Sequence, residues 1–492
     1  MALPHRSLLP VALATLLCVM PAAAAKPDLV LKGAIAGKDN GTYRDIPFTV
    51  PGGITRITVT FHHTGAEQKT VIDLGLFDNE RFRGWSGSDK STFTVSATDA
   101  TPSYLPGPIH PGVWHLILGI PNIREGATAT YEANITFKRA GAPLPETTFS
   151  DALLRAGPDW YRGDLHMHTA QSDGTCDSQS GRHVPCPLFK TLEAAAARGL
   201  DFVAVSDHNT ISQFNEEREL QPYFDKLLLI PGREITTYRG HANVFGTTDF
   251  IDFRLGSPAV PTFGKLLDQV EAAHGLISIN HPRLPSGEVC MGCGWTIPDT
   301  NYKRIQAIEI VNGGATQLFN NAENPVSGIP FWEDLLNKGN RITAIGGSDN
   351  HNGPADKDAV GYPTTVVYAD DLSDRAILAA IRAGHVFIDV EGSRDRSLEM
   401  SATVGRAHAM MGDSLAPPQG QPVVFTLAAK APGGIPGIIM DGKPANMTLE
   451  PALNDQQTFR YISDGQRHWF RAEIRDTNNR LLLIGNPIYL NF

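Results

Sequence analysis

The chain has 492 residues, a formal net charge of −10, 41% hydrophobic residues and 19% charged residues. That length exceeds what one hydrophobic core serves, so two to four domains are expected. The acidic balance is spread out with no basic run, which argues against a nucleic-acid partner, and no stretch beyond the first 25 residues is long and apolar enough to span a bilayer.

Residues 1–25 read as a secretory signal peptide. His5 and Arg6 make a short basic start, residues 8–20 are an apolar run, and Pro21-Ala22-Ala23-Ala24-Ala25 offers small residues for cleavage. Cys18 follows a leucine inside the apolar run and is read as part of it, not as a lipid-bearing cysteine; an uncleaved anchor is the alternative. The mature chain is expected to be periplasmic or secreted and free of the membrane after cleavage. Residues 26–148 carry short alternating apolar–polar runs at 54–61, 71–77, 91–95, 112–118 and 129–137, punctuated by Gly, Pro, Asn and Asp. That pattern predicts an antiparallel β-sandwich. It resembles the β modules appended to secreted bacterial hydrolases, and no chemistry is legible in it; His62 and His63 are read as strand-end surface.

A proline-containing linker over 143–158 precedes a change of rhythm. Over 160–392, helical spacing at 188–198, 263–274, 331–338 and 374–383 alternates with apolar runs at 202–206, 227–230, 276–279, 305–311, 342–345 and 364–368. Ser373 is the expected N-cap of the last of these helices. Repeated βα units imply an α/β fold with a parallel sheet, closed into a barrel. Short strands return over 393–492, at 423–428, 466–474 and 480–484, as a small C-terminal β domain.

Four cysteines remain in the mature chain: Cys176, Cys186, Cys290 and Cys293. Cys290-Met291-Gly292-Cys293 is a CxxC, compatible with a zinc half-site, a redox pair or a disulfide. Two loop-stapling bridges are favoured over a four-cysteine zinc site, and sequence does not assign the pairing.

The functional signal is a series of metal-type side chains at strand ends. Gly163-Asp164-Leu165-His166-Met167-His168 places two histidines at i and i+2, on one face of an extended strand, and Ser172-Asp173-Gly174 can turn a carboxylate back toward them. Asp207-His208 follows the run at 202–206, Glu234 the run at 227–230, His281 the run at 276–279, and Asp349 and His351 the run at 342–345. His241 opens His-Ala-Asn-Val-Phe-Gly. In α/β folds, functional groups gather past the C-terminal ends of strands. Buried carboxylates in such numbers repel and cost several kcal/mol each unless cations balance them, so a multinuclear metal site is predicted.

Asp-Leu-His-Met-His-Thr, Val-Ser-Asp-His-Asn, Pro-Gly-Arg-Glu, Ile-Asn-His-Pro and Gly-Gly-Ser-Asp-Asn-His resemble the ordered motifs of the polymerase and histidinol phosphatase (PHP) superfamily, over about half the chain. The resemblance implies a distorted (β/α)7 barrel with two or three divalent ions. Arg-Glu-Ile-Thr-Thr, Gly-His-Ala-Asn-Val and Asn-Pro-Ile-Tyr are similar to the carbaryl-hydrolase branch of secreted metallohydrolases. Carried over, His166, His168, Glu234 and Asp349 hold a first ion. Glu234 bridges to a second, held also by His281 and His241, and Asp173, His208 and His351 hold a third. His241 is alternatively a leaving-group acid. Asp207 is expected to orient a ligand imidazole. Arg233 and Arg283 are candidates for binding an anionic substrate group, or else barrel-rim ion pairs.

A ligand set without thiolate suits Zn²⁺, Mn²⁺ or Fe²⁺. With no serine or cysteine in a nucleophile setting, water is the expected attacker on a small-molecule phosphate or carboxylic/carbamic ester. The alternative is a glycan- or surface-binding protein whose barrel binds metal but is catalytically weak.

Overall fold

The computed structural model describes residues 26–139, 153–287, 290–353, 359–445, 447–451 and 456–492. The proposed signal segment and most of the linker lie outside the described residues. Strands Leu29–Ala36, Thr128–Arg139, Ile54–His63 and Thr92–Ser96 form one antiparallel sheet, and Thr42–Val50, Gly112–Asn122, Val71–Phe77 and Phe82–Gly87 form another. Inward residues of both sheets, among them Ile57, Phe93, Trp114 and Ile135, close a core of their own. Each alternates with outward polar positions, which makes a sandwich of period-two sequence.

Residues from 155 onward build a mixed α/β unit. Among the described residues six helices flank it: α1 (Leu188–Arg198), α2 (Gln213–Leu220), α3 (Phe263–Ala272), α4 (Gly313–Phe319), α5 (Ile329–Asn337) and α6 (Asp374–Ala383). Helix α6 begins where expected, with the Ser373 hydroxyl accepting from Ala376 N. Helices α2 and α4 escape the apolar-periodicity reading because α2 is mostly polar (Gln-Phe-Asn-Glu-Glu-Arg-Glu-Leu) and α4 starts on two glycines.

The closed (β/α)7 barrel is not formed as one continuous sheet. Strands Gly232–Thr237, Gly240–Phe245, Leu276–Ile279, Ala307–Asn312 and Thr343–Gly347 make one sheet, while Leu228–Leu229, Phe202–Val203, Arg155–Asp164, Thr364–Leu372 and Val386–Asp389 belong to another. The sheets meet at isolated parallel bridges, Met167 with Asn350 and His208 with Glu234. Two features break the regular alternation. Gly232–Thr237 and Gly240–Phe245 form an antiparallel hairpin, and Arg155–Asp164 pairs antiparallel with Thr364–Leu372. The bridges bring the irregular ends of both sheets together where the candidate ligands lie.

The C-terminal strands do not stand alone. Leu481–Gly485 pairs with Val386–Asp389, so the second sheet runs on into His468–Arg475 and Ile435–Met440. A further five-stranded sheet, including Ser397–Val404 and Pro422–Lys430, packs over it around Phe425, Phe459 and Phe470. The N-terminal sandwich is joined to α2. Buried Asp99 receives Arg56 Nη2 at 2.7 Å and also pairs with Arg218, and Asn215 Oδ1 accepts from Ala100 N at 3.1 Å.

Candidate metal centre

His166 and His168 lie just past strand Arg155–Asp164, both fully buried. Their backbone continues extended because His168 N donates to Asn350 O at 2.8 Å and Asp349 N donates to His166 O at 2.8 Å. Asp164 fixes this crossing point: its carboxylate accepts from the backbone N–H of His166, Ser348 and Gly361 at 3.2, 3.0 and 2.7 Å. The crossing is tight. A Cβ on Gly347 would lie 2.5 Å from His166 Cβ and 2.7 Å from Glu309 Oε2. Asp349 and His281 both adopt positive φ, 55° and 25°, a costly backbone for non-glycine residues that clusters at functional sites.

Glu234 occupies the middle. Its Oε1 lies 3.5 Å from His166 Nε2, 3.3 Å from His241 Nδ1 and 3.5 Å from His281 Nε2. Its Oε2 lies 2.7 Å from His208 Nδ1 and 3.8 Å from His168 Nε2. Asp349 Oδ1 is 3.2 Å from both His166 Nε2 and His168 Nε2. Asp173 Oδ1 stands at the open side, 3.6 Å from His208 Nε2 and 3.4 Å from His351 Nε2. All nine sequence-derived ligand candidates therefore converge. Among the described residues, four overlapping sets have ligand atoms within 4.8 Å of one another: His168, Asp173, His208 and His351; His166, His168 and Asp349; His166, Glu234 and His281; and His241, His281 and Cys293.

Four of the six imidazoles are held from behind. His166 Nδ1 is 2.6 Å from Glu309 Oε2, His241 Nε2 is 3.1 Å from Met291 O, His351 Nδ1 is 2.8 Å from Asp349 O, and His208 Nδ1 is 2.7 Å from Thr236 Oγ1. For His166 and His241, a nitrogen that donates outward leaves the other nitrogen's lone pair facing a carboxylate. Two acceptors in contact repel unless a proton or a cation sits between them. Consistent with a cation's place, His166 Nε2 and Glu234 Oε2 are buried and make no aligned hydrogen bond, a condition that costs about 1–3 kcal/mol per group if nothing satisfies it. The donors are imidazole nitrogens and carboxylate oxygens, so the residues present fit divalent ions.

Electrostatics divide the cluster. Burial disfavours the charged His166, but Asp349, Glu309 and Glu234 overcome it and raise its pKa well above the usual range. Burial likewise opposes charge on His208, yet Asp173 and Glu234 raise it to about 10. His168 goes the other way, to about 3, through burial and the neighbouring His351 and His208. Glu234 and Asp349 are held well below the usual carboxylate range against their burial, Glu234 by His166 first and Asp349 likewise by His166.

Other sequence candidates sit elsewhere. Arg233 is buried on the opposite face of Gly232–Thr237 from Glu234, as strand alternation requires; it donates to Thr247 O at 2.9 Å and packs over Phe214. Arg283 is exposed on the loop after His281. Asp207 does not touch an imidazole. It accepts from Thr169 N, Thr169 Oγ1 and Ser172 Oγ at 2.7, 2.7 and 2.6 Å, fixing the turn that carries Asp173. Glu309, Asn280 and Asn312 are added by the structure. Asn280 donates to Glu234 Oε1 at 2.8 Å, and Asn312 donates to Glu309 at 2.8 Å and to Asp349 at 3.0 Å. The signal available for Glu309 was its position as the one charge in Ala-Ile-Glu-Ile-Val-Asn.

Cysteines pair as Cys176 with Cys186 and Cys290 with Cys293. The first pair ties a short hairpin whose Thr175 N donates to His351 O at 2.7 Å, so it braces one side of the cluster.

No family model and no curated protein matches this chain. Among solved structures it is similar to a two-domain Bacteroides vulgatus protein described as containing a predicted PHP-like metal-dependent phosphoesterase, with 16% identity, a TM-score of 0.38, and 70% of this chain and 100% of that chain covered. A Bifidobacterium adolescentis structure described as a putative metal-dependent phosphoesterase matches at 16% identity and TM-score 0.29, covering 44% and 96%. A Yersinia pseudotuberculosis-derived mitogen matches at 17% identity and TM-score 0.15, covering 23% and 87%. These overlaps are low, and the functional reading rests on the side chains above. Among the described residues no helix is long and apolar enough to cross a membrane.

Proposed function

We propose that this chain is an exported metal-dependent hydrolase of the PHP superfamily, acting on phosphate or carboxylic/carbamic esters. The observation that carries the reading is Glu234: a buried carboxylate whose two oxygens face five imidazoles, with one oxygen lacking an aligned hydrogen bond. His166, His168, Asp349 and Glu234 would hold one ion; Glu234, His281 and His241 a second; and Asp173, His208 and His351 a third. Bound divalent ions supply Lewis acidity, which lowers the pKa of a water from about 15.7 toward about 7.

The chain's own residues do the positioning. Glu309 and Met291 O fix the ring orientations of His166 and His241, and Asn280 and Asn312 fix Glu234 and Asp349. The cluster opens to solvent on the side of Asp173, His208 and His351, which are partly exposed while His166 and His168 are not. Substrate therefore approaches from that side. Arg283, exposed beside His281, is the remaining candidate for an anionic substrate group, since Arg233 is enclosed. We place His241 among the ligands because Met291 O takes its outward nitrogen and leaves Nδ1 toward Glu234.

An ester panel tests this. Purified protein loaded with Zn²⁺, Mn²⁺ or Fe²⁺ is expected to hydrolyse aryl phosphates, aryl carboxylates or carbamates, and a chelator should abolish the activity. Full turnover after metal removal, or no turnover on any ester by the fully loaded protein, would overturn it.

A further inference from the structure

The loop after His281 carries a feature that ester hydrolysis does not require. Cys293 is fully buried, and its sulfur lies within 4.8 Å of ligand nitrogens of both His241 and His281. The loop is folded back to put it there: Trp295 N donates to Pro282 O at 2.9 Å, and Gly292 N donates to Ser286 Oγ at 2.7 Å. Gly292 packs so closely on the Thr237–Tyr238 turn that a Cβ would lie 2.1 Å from Thr237 O. Within this loop Met291 O meets His241 Nε2, and His281 Nδ1 is buried with no hydrogen-bond partner. Cys293 Sγ and one nitrogen of each imidazole are thus buried together, and His281 carries an unpartnered ring nitrogen.

A structural crosslink is a weak reason for this arrangement. The Cys290–Cys293 pair spans a sequence separation of 3, against 10 for Cys176–Cys186, and the shortest loops restrict the unfolded chain least. A CxxC against two buried imidazoles is instead the chemistry of a thiol that changes partners.

We propose that Cys293 is a redox-controlled metal ligand: with the Cys290–Cys293 pair reduced, its thiolate joins His241 and His281 in a nitrogen–sulfur site for Zn²⁺, and with the pair oxidised the sulfur is withheld. The proposal rests on the reading of His241 and His281 as ligands. A small dithiol supplies the reducing equivalents. Two electrons and two protons pass to the Cys290–Cys293 bond, which breaks to two thiols, and the dithiol closes to its cyclic disulfide. On metal binding the Cys293 thiol gives its proton to solvent. Sulfur in the set selects Zn²⁺ over Mn²⁺, which prefers oxygen and nitrogen. The second ion's identity would then follow the redox poise of the surroundings, while the oxygen- and nitrogen-only sets around Asp349 and Asp173 would not respond.

The test uses the full chain freed of metal, either oxidised or reduced with dithiothreitol and desalted, then titrated with Co²⁺ as a spectroscopic probe. Reduced protein is expected to show a thiolate-to-Co²⁺ charge-transfer band that oxidised protein lacks. Cys290→Ser should show it without reductant, and Cys293→Ser and His241→Asn should lose it in both states. Co²⁺ binding with no such band in reduced protein and in Cys290→Ser would overturn this proposal and leave the hydrolase reading standing. A band that survives in Cys293→Ser would overturn it as well, and absence of any Co²⁺ binding would overturn both readings.

Discussion

Glu309 Oε2 lies 2.6 Å from His166 Nδ1, with both side chains buried and Asn312 holding the other carboxylate oxygen at 2.8 Å. This fixes the His166 ring so that Nε2 points at Glu234 and Asp349. Glu309→Gln is therefore expected to keep the fold and every proposed ligand, yet weaken metal binding about 10- to 100-fold. Competition with a chromophoric chelator measures it; an unchanged affinity would remove Glu309 from the account.

The individual ligands should not be equivalent. His166 belongs to two of the four convergent sets, one with Asp349 and one with Glu234 and His281, whereas His241 belongs to one. His166→Asn should cost more bound metal per chain than His241→Asn, and Asp349→Ala should lose metal and turnover while the N-terminal sandwich stays folded. Elemental analysis of the three variants, with circular dichroism as the folding control, checks the order. Equal losses for His166→Asn and His241→Asn would contradict it.

Protons and metal ions should compete. In the metal-free protein His208 is raised to about 10, and His166 and His281 are raised as well. A histidine with a raised folded-state pKa contributes stability that is fully present below its unfolded value, about 6.5, and lost as pH rises through the folded value. At pH about 7 His208 carries a proton that metal displaces. Metal binding should therefore release protons and tighten as pH rises. Calorimetric titrations in buffers of different ionisation enthalpy would show it, and a binding enthalpy independent of buffer would contradict it.

At the joint between sandwich and metal unit, burial opposes charge on Asp99, but Arg56 and Arg218 hold its carboxyl below the usual range. A depressed carboxylate contributes stability present above its unfolded pKa, about 3.9, and lost as pH falls through the folded value. Asp99→Asn should destabilise the chain by about 3 kcal/mol and remove part of its acid sensitivity. Urea denaturation at neutral and acidic pH compares the two; identical curves would show that the joint contributes nothing.

What the sequence disclosed follows from where chemistry sits on a strand. His166 was legible from its spacing to His168; Glu234, His281 and Asp349 were legible because each follows an apolar run, and no core needs so many charges. Strand alternation is also why Arg233, next to Glu234, ends up on the other face; the same period-two rule, applied to that pair, would have separated them. Other contacts were not legible. Met291 O against His241, and Cys293 beside His281, arise from the folding of an irregular loop with no periodicity to read. Glu309 was hidden by being one charge inside a mostly apolar strand. The running-on of the C-terminal strands into the sheet of the metal unit depends on the pairing of Leu481–Gly485 with Val386–Asp389, a long-range register that composition does not carry.

Packing beneath the ligands gives a sharper check on the crossing. Gly347→Ala would place a methyl 2.5 Å from His166 Cβ, an overpacking that costs about 1–3 kcal/mol and should displace His166. Thermal unfolding together with metal content would register it. A variant with both unchanged would mean the crossing is looser than drawn.

The central claim is that Glu234 is the shared carboxylate of a multinuclear centre. The most direct measurement is metal stoichiometry per chain, by elemental mass spectrometry, for the wild-type protein and Glu234→Ala after equilibration with Zn²⁺, Mn²⁺ or Fe²⁺. The account predicts two or three ions in the wild type and loss of at least the two that Glu234 would bridge in the variant. A wild type holding less than one ion, or a variant with undiminished content, would contradict it.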